Sequence, residues 1–199
     1  MAGDDQAQQG DSRPGRVGAA LCFVRGAPGI GKSTAGRLLI GQLTNGALVE
    51  VDQFRAMLAR CDWHDRNQHE VGMRAATRAA RGFLNSGATP VIIVDTFGRD
   101  HLPRMQAAFG DFVQHATVSL RVEPAVLQAR LSQRGCGYQD LEQAKWINEE
   151  IAAVRFSQES LLDTTLMGPE AVADALVELF AIGCGPGAAR GARAEVPGP

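Results

Sequence analysis

The chain has 199 residues, 45% of them apolar and 21% charged, with a formal net charge of −2 and a pI near 6.1. That length supports one domain with a sizeable core, and no apolar run approaches what a bilayer span needs, so a cytoplasmic globular protein is expected. The slightly acidic balance leaves no global electrostatic case for nucleic acid, although 18 arginines against two lysines could still cluster locally.

Residues 1–18 are rich in Gly, Asp, Gln and Arg and lack an apolar h-region, which predicts a disordered tail rather than a secretory signal. Ala19 to Val24 is an apolar run bounded by glycine and predicts a strand. It leads into Gly26-Ala27-Pro28-Gly29-Ile30-Gly31-Lys32-Ser33, which fits the phosphate-binding pattern G-x-x-x-x-G-K-[ST] at every position. With two lysines in the chain, chance supplies on the order of a few such matches per thousand sequences of this composition. Ser33 to Leu43 then reads as an amphipathic helix. Strand, glycine loop and helix are the context the motif requires, and together they predict an ATP site at Gly26–Thr34. Loop N–H groups would turn toward phosphate oxygens, Lys32 would reach the β- and γ-phosphates, and the Ser33 hydroxyl suits Mg²⁺, which prefers hard oxygen donors.

Further along, Ala47 to Val51 predicts a strand ending at Asp52, followed by a helix from Phe54 to Arg60 and another from His69 to Leu84. Pro90 to Val94 is a β-branched run of the kind covered on both faces, ending at Asp95. A helix near Leu102–Phe109, a strand over Ala116–Val122 and a helix opened by Pro124 and running to about Gln133 come next. A mostly helical stretch from Asp140 to Ser160, a strand near Leu161–Thr164 and a helix over Pro169–Ala181 follow, and 183–199 is a second expected tail. Strands alternating with helices predict a parallel α/β sheet in one domain over 19–182.

Ligands of such sheets lie beyond the carboxyl ends of the strands, so the glycine loop, Asp52 and Asp95 should converge on one edge. Asp52 and Arg55 form Asp-x-x-Arg: the carboxylate can accept a hydroxyl proton while the arginine holds the acceptor, or Asp52 can simply cap a helix. Asp95 closes its strand like a Walker B aspartate, holding Mg²⁺ directly or through water, or else forms a turn before Thr96-Phe97-Gly98. Arg130 and Arg134 lie one helical turn apart and suit a triphosphate.

These residues resemble the small P-loop kinases related to nucleoside, nucleotide, shikimate and gluconate kinases, and look closest to the antibiotic-phosphotransferase, zeta-toxin and polynucleotide-kinase branch. The resemblance implies a five-stranded parallel sheet of order 2-3-1-4-5, ATP and Mg²⁺ as cofactors, and a short lid. Arg130-Leu131-Ser132-Gln133-Arg134 is similar to the segment entering that lid, where the first arginine stacks on adenine and the second approaches the transferring phosphate. Asp52 then matches the acceptor-activating aspartate. The stretch between Arg134 and Lys145 is too short for a separate lid domain. The expected activity is transfer of the γ-phosphate to a hydroxyl of a nucleoside, sugar, polyol or antibiotic-like molecule by a monomer or homodimer. The rival readings are a polynucleotide 5′-hydroxyl kinase and an ATP-binding regulator.

Cys22, Cys61, Cys136 and Cys184 are scattered without a C-x-x-C pair, which predicts free thiols. His64, His69, His101 and His115 lack a metal-binding spacing and read as surface or pocket groups. Phe54, Trp63, Phe97 and Tyr138 are candidates for an acceptor pocket, though core positions are the commoner use of such side chains. Lys145 and Arg155 read as a solvated helix face or an extension of the lid's charge.

Overall fold

A computed structural model of the chain describes residues 19–110, 113–133, 138–153, 156 and 159–182. The two expected tails, Arg134, Gly135, Cys136, Gly137, Arg155 and Cys184 lie outside the described residues. Five strands, β1 (Leu21–Arg25), β2 (Ala47–Glu50), β3 (Val91–Asp95), β4 (His115–Arg121) and β5 (Glu159–Asp163), form one sheet in the order β2-β3-β1-β4-β5. Every pairing is parallel. This is the expected order, and it places β1 and β3 centrally, where all ten of their residues are buried.

Alternation along the strands divides the core. Cys22, Val24, Ile92 and Val94 meet α1 (Lys32–Ile40) and α7 (Pro169–Leu179) on one face. Leu21, Phe23, Val91 and Ile93 face α3 (Arg66–Asn85) and α4 (His101–Ala107) on the other. Parallel strands need crossover helices, and two-sided coverage is why β3 reads as an unbroken apolar run. The remaining helices are α2 (Val51–Ala56), α5 (Pro124–Ser132) and α6 (Leu141–Ala153). No described helix is long and apolar enough to cross a membrane.

Register aligns the strand ends. Arg25 pairs with both Asp95 and Ser119, so the carboxyl termini of β1, β3 and the middle of β4 are level. Several boundaries differ from expectation: α2 spans Val51–Ala56 rather than Phe54–Arg60, α3 begins at Arg66 rather than His69, and two shifts lie at the sheet itself. Val51 turns helical, so Asp52 sits in the first turn of α2 rather than at a strand end. β5 begins at Glu159, inside the stretch read as helical: Glu159 pairs with Thr117 of β4, and its carboxylate accepts a hydrogen bond from Arg25 of β1.

Candidate active site

The loop between β1 and α1 has the backbone its glycines permit. Gly29 and Gly31 take φ of 83° and 107°, left-handed values that strain residues with a Cβ. No side chain caps α1, so its first N–H groups and dipole are open to an anion. Lys32 Nζ donates to the Ala27 carbonyl at 2.9 Å, folding the side chain back over the loop. Arg130, in the last turn of α5, donates from Nη1 to the Ile30 carbonyl at 3.0 Å and to Thr164 Oγ1 at 3.2 Å. Its Nη2 donates to the Thr164 and Met167 carbonyls at 2.9 and 3.3 Å. All four bonds are made by N–H groups along the edge of the guanidinium.

One cavity of about 920 Å³ extends from this loop across the sheet edge. Lys32, Ser33, Asp52, Arg55, Asp95 and Arg130 all line it, so the convergence expected from topology is present. The side chain of Asp52 is 52% exposed, and among the described residues no hydrogen bond ties its carboxylate to α2. Burial and the neighbouring charge of Asp95 push its pKa up, against the pull of Lys32, Arg55 and His69. Arg55 is buried beneath it, with Nη1 4.0 Å from Asp52 Oδ1, its guanidinium over the Trp63 ring at 5.0 Å, and Nη2 donating to the Asp62 carbonyl at 3.1 Å. Gly72 of α3 makes room for it, since a Cβ there would lie 2.6 Å from Arg55 Cγ.

Asp95 is buried at the end of β3 and accepts a hydrogen bond from His69 Nε2 at 2.9 Å. Burial opposes its ionisation, but the His69 bond and charge, the Thr96 N–H and Lys32 together hold its pKa below the usual range. His69 is affected reciprocally: burial disfavours its charge, and Asp95 more than offsets this, raising its pKa. The chain of contacts continues outward. His69 meets the His101 ring edge-on at 4.9 Å, and His101 Nε2 lies 3.3 Å from Glu70 Oε1, which also pairs with Arg104. Phe97, wholly buried against Phe23 at 5.6 Å, takes φ of 47° and turns the chain after Asp95 at a strained position of the kind that persists when packing overdetermines it.

Sequence reasoning did not single out His69 as a partner of Asp95. The signal was available: His69 shares the helical stripe of Gly72, Met73, Ala76 and Ala80, the buried face of α3. A polar residue on such a stripe needs a buried partner. Arg25 was missed as well. It is 1% exposed, lines the cavity, packs on Phe156 at 4.8 Å and donates from Nη1 to Glu159 Oε1 at 3.2 Å. Burial lowers its pKa, with Glu159 and Glu150 opposing. Of the aromatic candidates, Trp63 and Tyr138 line the cavity, Phe97 is core that also borders it, and Phe54 packs against the α3 core. Lys145 pairs with Glu142 on the helix surface. Cys22 and Cys61 are free thiols, and burial pushes Cys22 up to about 12.

The His69–Asp95 pair carries a pH signature. A raised folded-state pKa at His69 gives stability that is full below the unfolded value of about 6.5 and fades as pH rises through the folded value. A lowered pKa at Asp95 gives stability present above about 3.9 and lost as pH falls through its folded value. Thermal melts of the wild type and His69→Gln should therefore differ most between roughly pH 4 and 6.5 and converge at alkaline pH. A difference independent of pH would show that the pair is uncharged.

The loop with positive-φ glycines, the uncapped helix behind it and the parallel sheet in 2-3-1-4-5 order have a counterpart among known families: the AAA domain family matches residues 22–154. The chain belongs to that family. No curated protein matches it by sequence. Among solved structures, the tunicamycin resistance protein of Deinococcus radiodurans is similar at 17% identity and a TM-score of 0.66, covering 84% of this chain and 99% of that one. A sugar kinase from a Janibacter species is 16% identical with a TM-score of 0.61, covering 82% and 95%. Shikimate kinase from Bacteroides thetaiotaomicron is 17% identical with a TM-score of 0.59, covering 80% and 97%. The fold of this AAA-domain chain is thus shared with small P-loop kinases, as its sequence resemblance implied.

Proposed function

We propose that the protein is a kinase that transfers the γ-phosphate of ATP to a hydroxyl of a small molecule in the cytoplasm. The observation that carries this reading is the half-exposed carboxylate of Asp52, ion-paired with Arg55 and with no hydrogen bond among the described residues, in the same cavity as the phosphate loop. A hydrolase also orients its water with such a group, and what favours an acceptor is a cavity of about 920 Å³ that continues past the loop to Trp63 and Trp146.

In this reading Gly26, Ala27, Gly29, Ile30, Gly31, Ser33 and Thr34 wrap the triphosphate through backbone N–H groups and the N-terminus of α1, while Pro28, which has no N–H, shapes the loop. Lys32 leaves the Ala27 carbonyl for the β- and γ-phosphates, and Arg130, fixed by its edge bonds, offers a flat cation to the adenine. Asp52 accepts the proton of the attacking hydroxyl. Arg55 holds Asp52 from below rather than meeting the acceptor with a free side chain. Arg134 is retained as the cation that approaches the transferring phosphate.

The donor set suits Mg²⁺. The Ser33 hydroxyl is a hard oxygen ligand, and burial followed by the charge of Asp95 raises the pKa of Asp52, both of which a nearby dication would offset. Ser33, and Asp95 through a water, would hold the ion. When bound, Mg²⁺ supplies charge neutralisation at the β- and γ-phosphate oxygens.

A coupled ADP-release assay over nucleosides, sugars, aminocyclitols, antibiotics and 5′-hydroxyl oligonucleotides tests the proposal. ADP release should rise many-fold with a particular small acceptor. A slow rate indifferent to every acceptor would favour a regulator, and stimulation confined to oligonucleotides would favour a polynucleotide kinase.

A further inference from the structure

We infer that the acceptor carries a planar ring beside its reacting hydroxyl, as a nucleoside or an aryl-bearing alcohol does, and that Trp63 and Trp146 bind this ring. The inference rests on the kinase reading and names the substrate class of the same cavity. The chain contains two tryptophans and one tyrosine, and all three line this cavity. Tryptophan and tyrosine combine a large apolar face with one polar atom, which suits them to ligand and interface surfaces. The buried cores are instead filled by aliphatic side chains and phenylalanines such as Phe23, Phe109 and Phe180.

Trp146 is the decisive residue. The buried positions of α6 are Ala144, Asn148 and Ile151; Trp146 lies off them and is 59% exposed, yet it lines the cavity together with Ile147. An indole left in water on a cavity wall is a surface for something apolar and flat to cover. On the side of the cavity formed by the α2–α3 connection, Trp63 is backed by Arg55, and the Tyr138 ring lies 5.2 Å from the His64 ring.

Of the polar lining, Asp65 caps α3, Glu70 holds Arg104 and Arg25 holds Glu159, whereas among the described residues no side-chain hydrogen bond holds Arg66, Arg99, Gln133 or Gln143. Those groups can meet the hydroxyls of any acceptor; the indoles add a flat apolar surface that a bare sugar or polyol would leave uncovered. Among the lining residues, Arg25 Nε, Arg55 Nε and Tyr138 Oη are buried atoms without a hydrogen bond. Both arginines are otherwise held by protein groups, so Tyr138 Oη is the atom for a heteroatom of the ligand to meet, buried polar atoms being satisfied in the large majority of cases.

The test is intrinsic tryptophan fluorescence of the full chain with Mg²⁺ and a non-hydrolysable ATP analogue. Adenosine and uridine form one arm, p-nitrophenyl glucoside a second, and glucose and glycerol a third. Quenching with affinity at least about tenfold tighter for a ring compound than for the ringless polyols is expected, stacking being of that order. Whether the nucleoside or the aryl arm responds identifies the source of the ring. Trp146→Ala should weaken binding of that ring compound by about tenfold while Trp146→Phe retains most of it. Equal binding of ringless polyols, unchanged affinity in Trp146→Ala, or binding of a 5′-hydroxyl oligonucleotide without any free ring compound would each overturn the inference. Calorimetry of Mg·ATP on the same samples separates the two levels. Normal nucleotide binding is retained if only the ring inference fails, and its absence overturns the kinase reading and the inference together.

Discussion

Lys32→Ala is expected to reduce phosphoryl transfer by upward of about 10²–10³-fold, the scale seen when one charge-stabilising donor is removed from a transition state. The side chain lies outside both apolar clusters and donates to the Ala27 carbonyl of its own loop, so no apolar packing is lost with it. The variant should therefore melt close to the wild type while its affinity for Mg·ATP falls. Steady-state rates, calorimetry and a thermal melt together check this, and near-normal turnover in a folded variant would remove Lys32 from the reaction.

Asp52→Asn separates donor from acceptor. The amide keeps the size and exposure of the carboxylate but cannot take a proton, so the rate should drop by about 10²–10⁴-fold, the usual contribution of a positioned general base. Affinity for Mg·ATP should hold or rise slightly, because Asn relieves the repulsion from Asp95. The competing possibility, a helix cap, predicts the reverse: lower thermal stability with the rate per folded molecule intact. The structure already weighs against it, since the N-cap position of α2 is Glu50 and carries no side-chain capping bond.

What was legible in the sequence is what is encoded locally. The P-loop declares itself in eight consecutive residues, and its strand and helix follow from apolar period alone. Asp95 was legible because β3 ends on it. Asp52 lines the cavity although its secondary structure was misjudged, because a residue directly after a strand reaches the same sheet edge whether it extends or begins a helix. Arg130 was found through family resemblance, whereas its bonds to Ile30, Thr164 and Met167 come from elements about 34 and 100 residues away and have no sequence signature.

Long-range pairing accounts for the rest. Arg25 follows an apolar run that reads as complete at Val24, and its partner Glu159 is 134 positions distant. Nothing near either residue announces a buried ion pair, so β5 was read two residues late. His69 was taken for the start of α3, which hid its place on the buried stripe; the helix begins at Arg66 with Asp65 as its cap. Trp146 lay in a stretch read simply as helical. That it would stay exposed and border the cavity depends on how α6 docks, and helix docking is not written in a 13-residue segment.

The central claim is that phosphate passes from ATP to a hydroxyl within this cavity. Its most direct test is the fate of the label from γ-³²P-ATP in the presence of the acceptor that best stimulates ADP release. The account predicts that label appears as an acid-stable organic phosphate ester in step with ADP and that Asp52→Asn suppresses both. Label recovered only as inorganic phosphate, at a rate unaffected by acceptor or by Asp52→Asn, would contradict it.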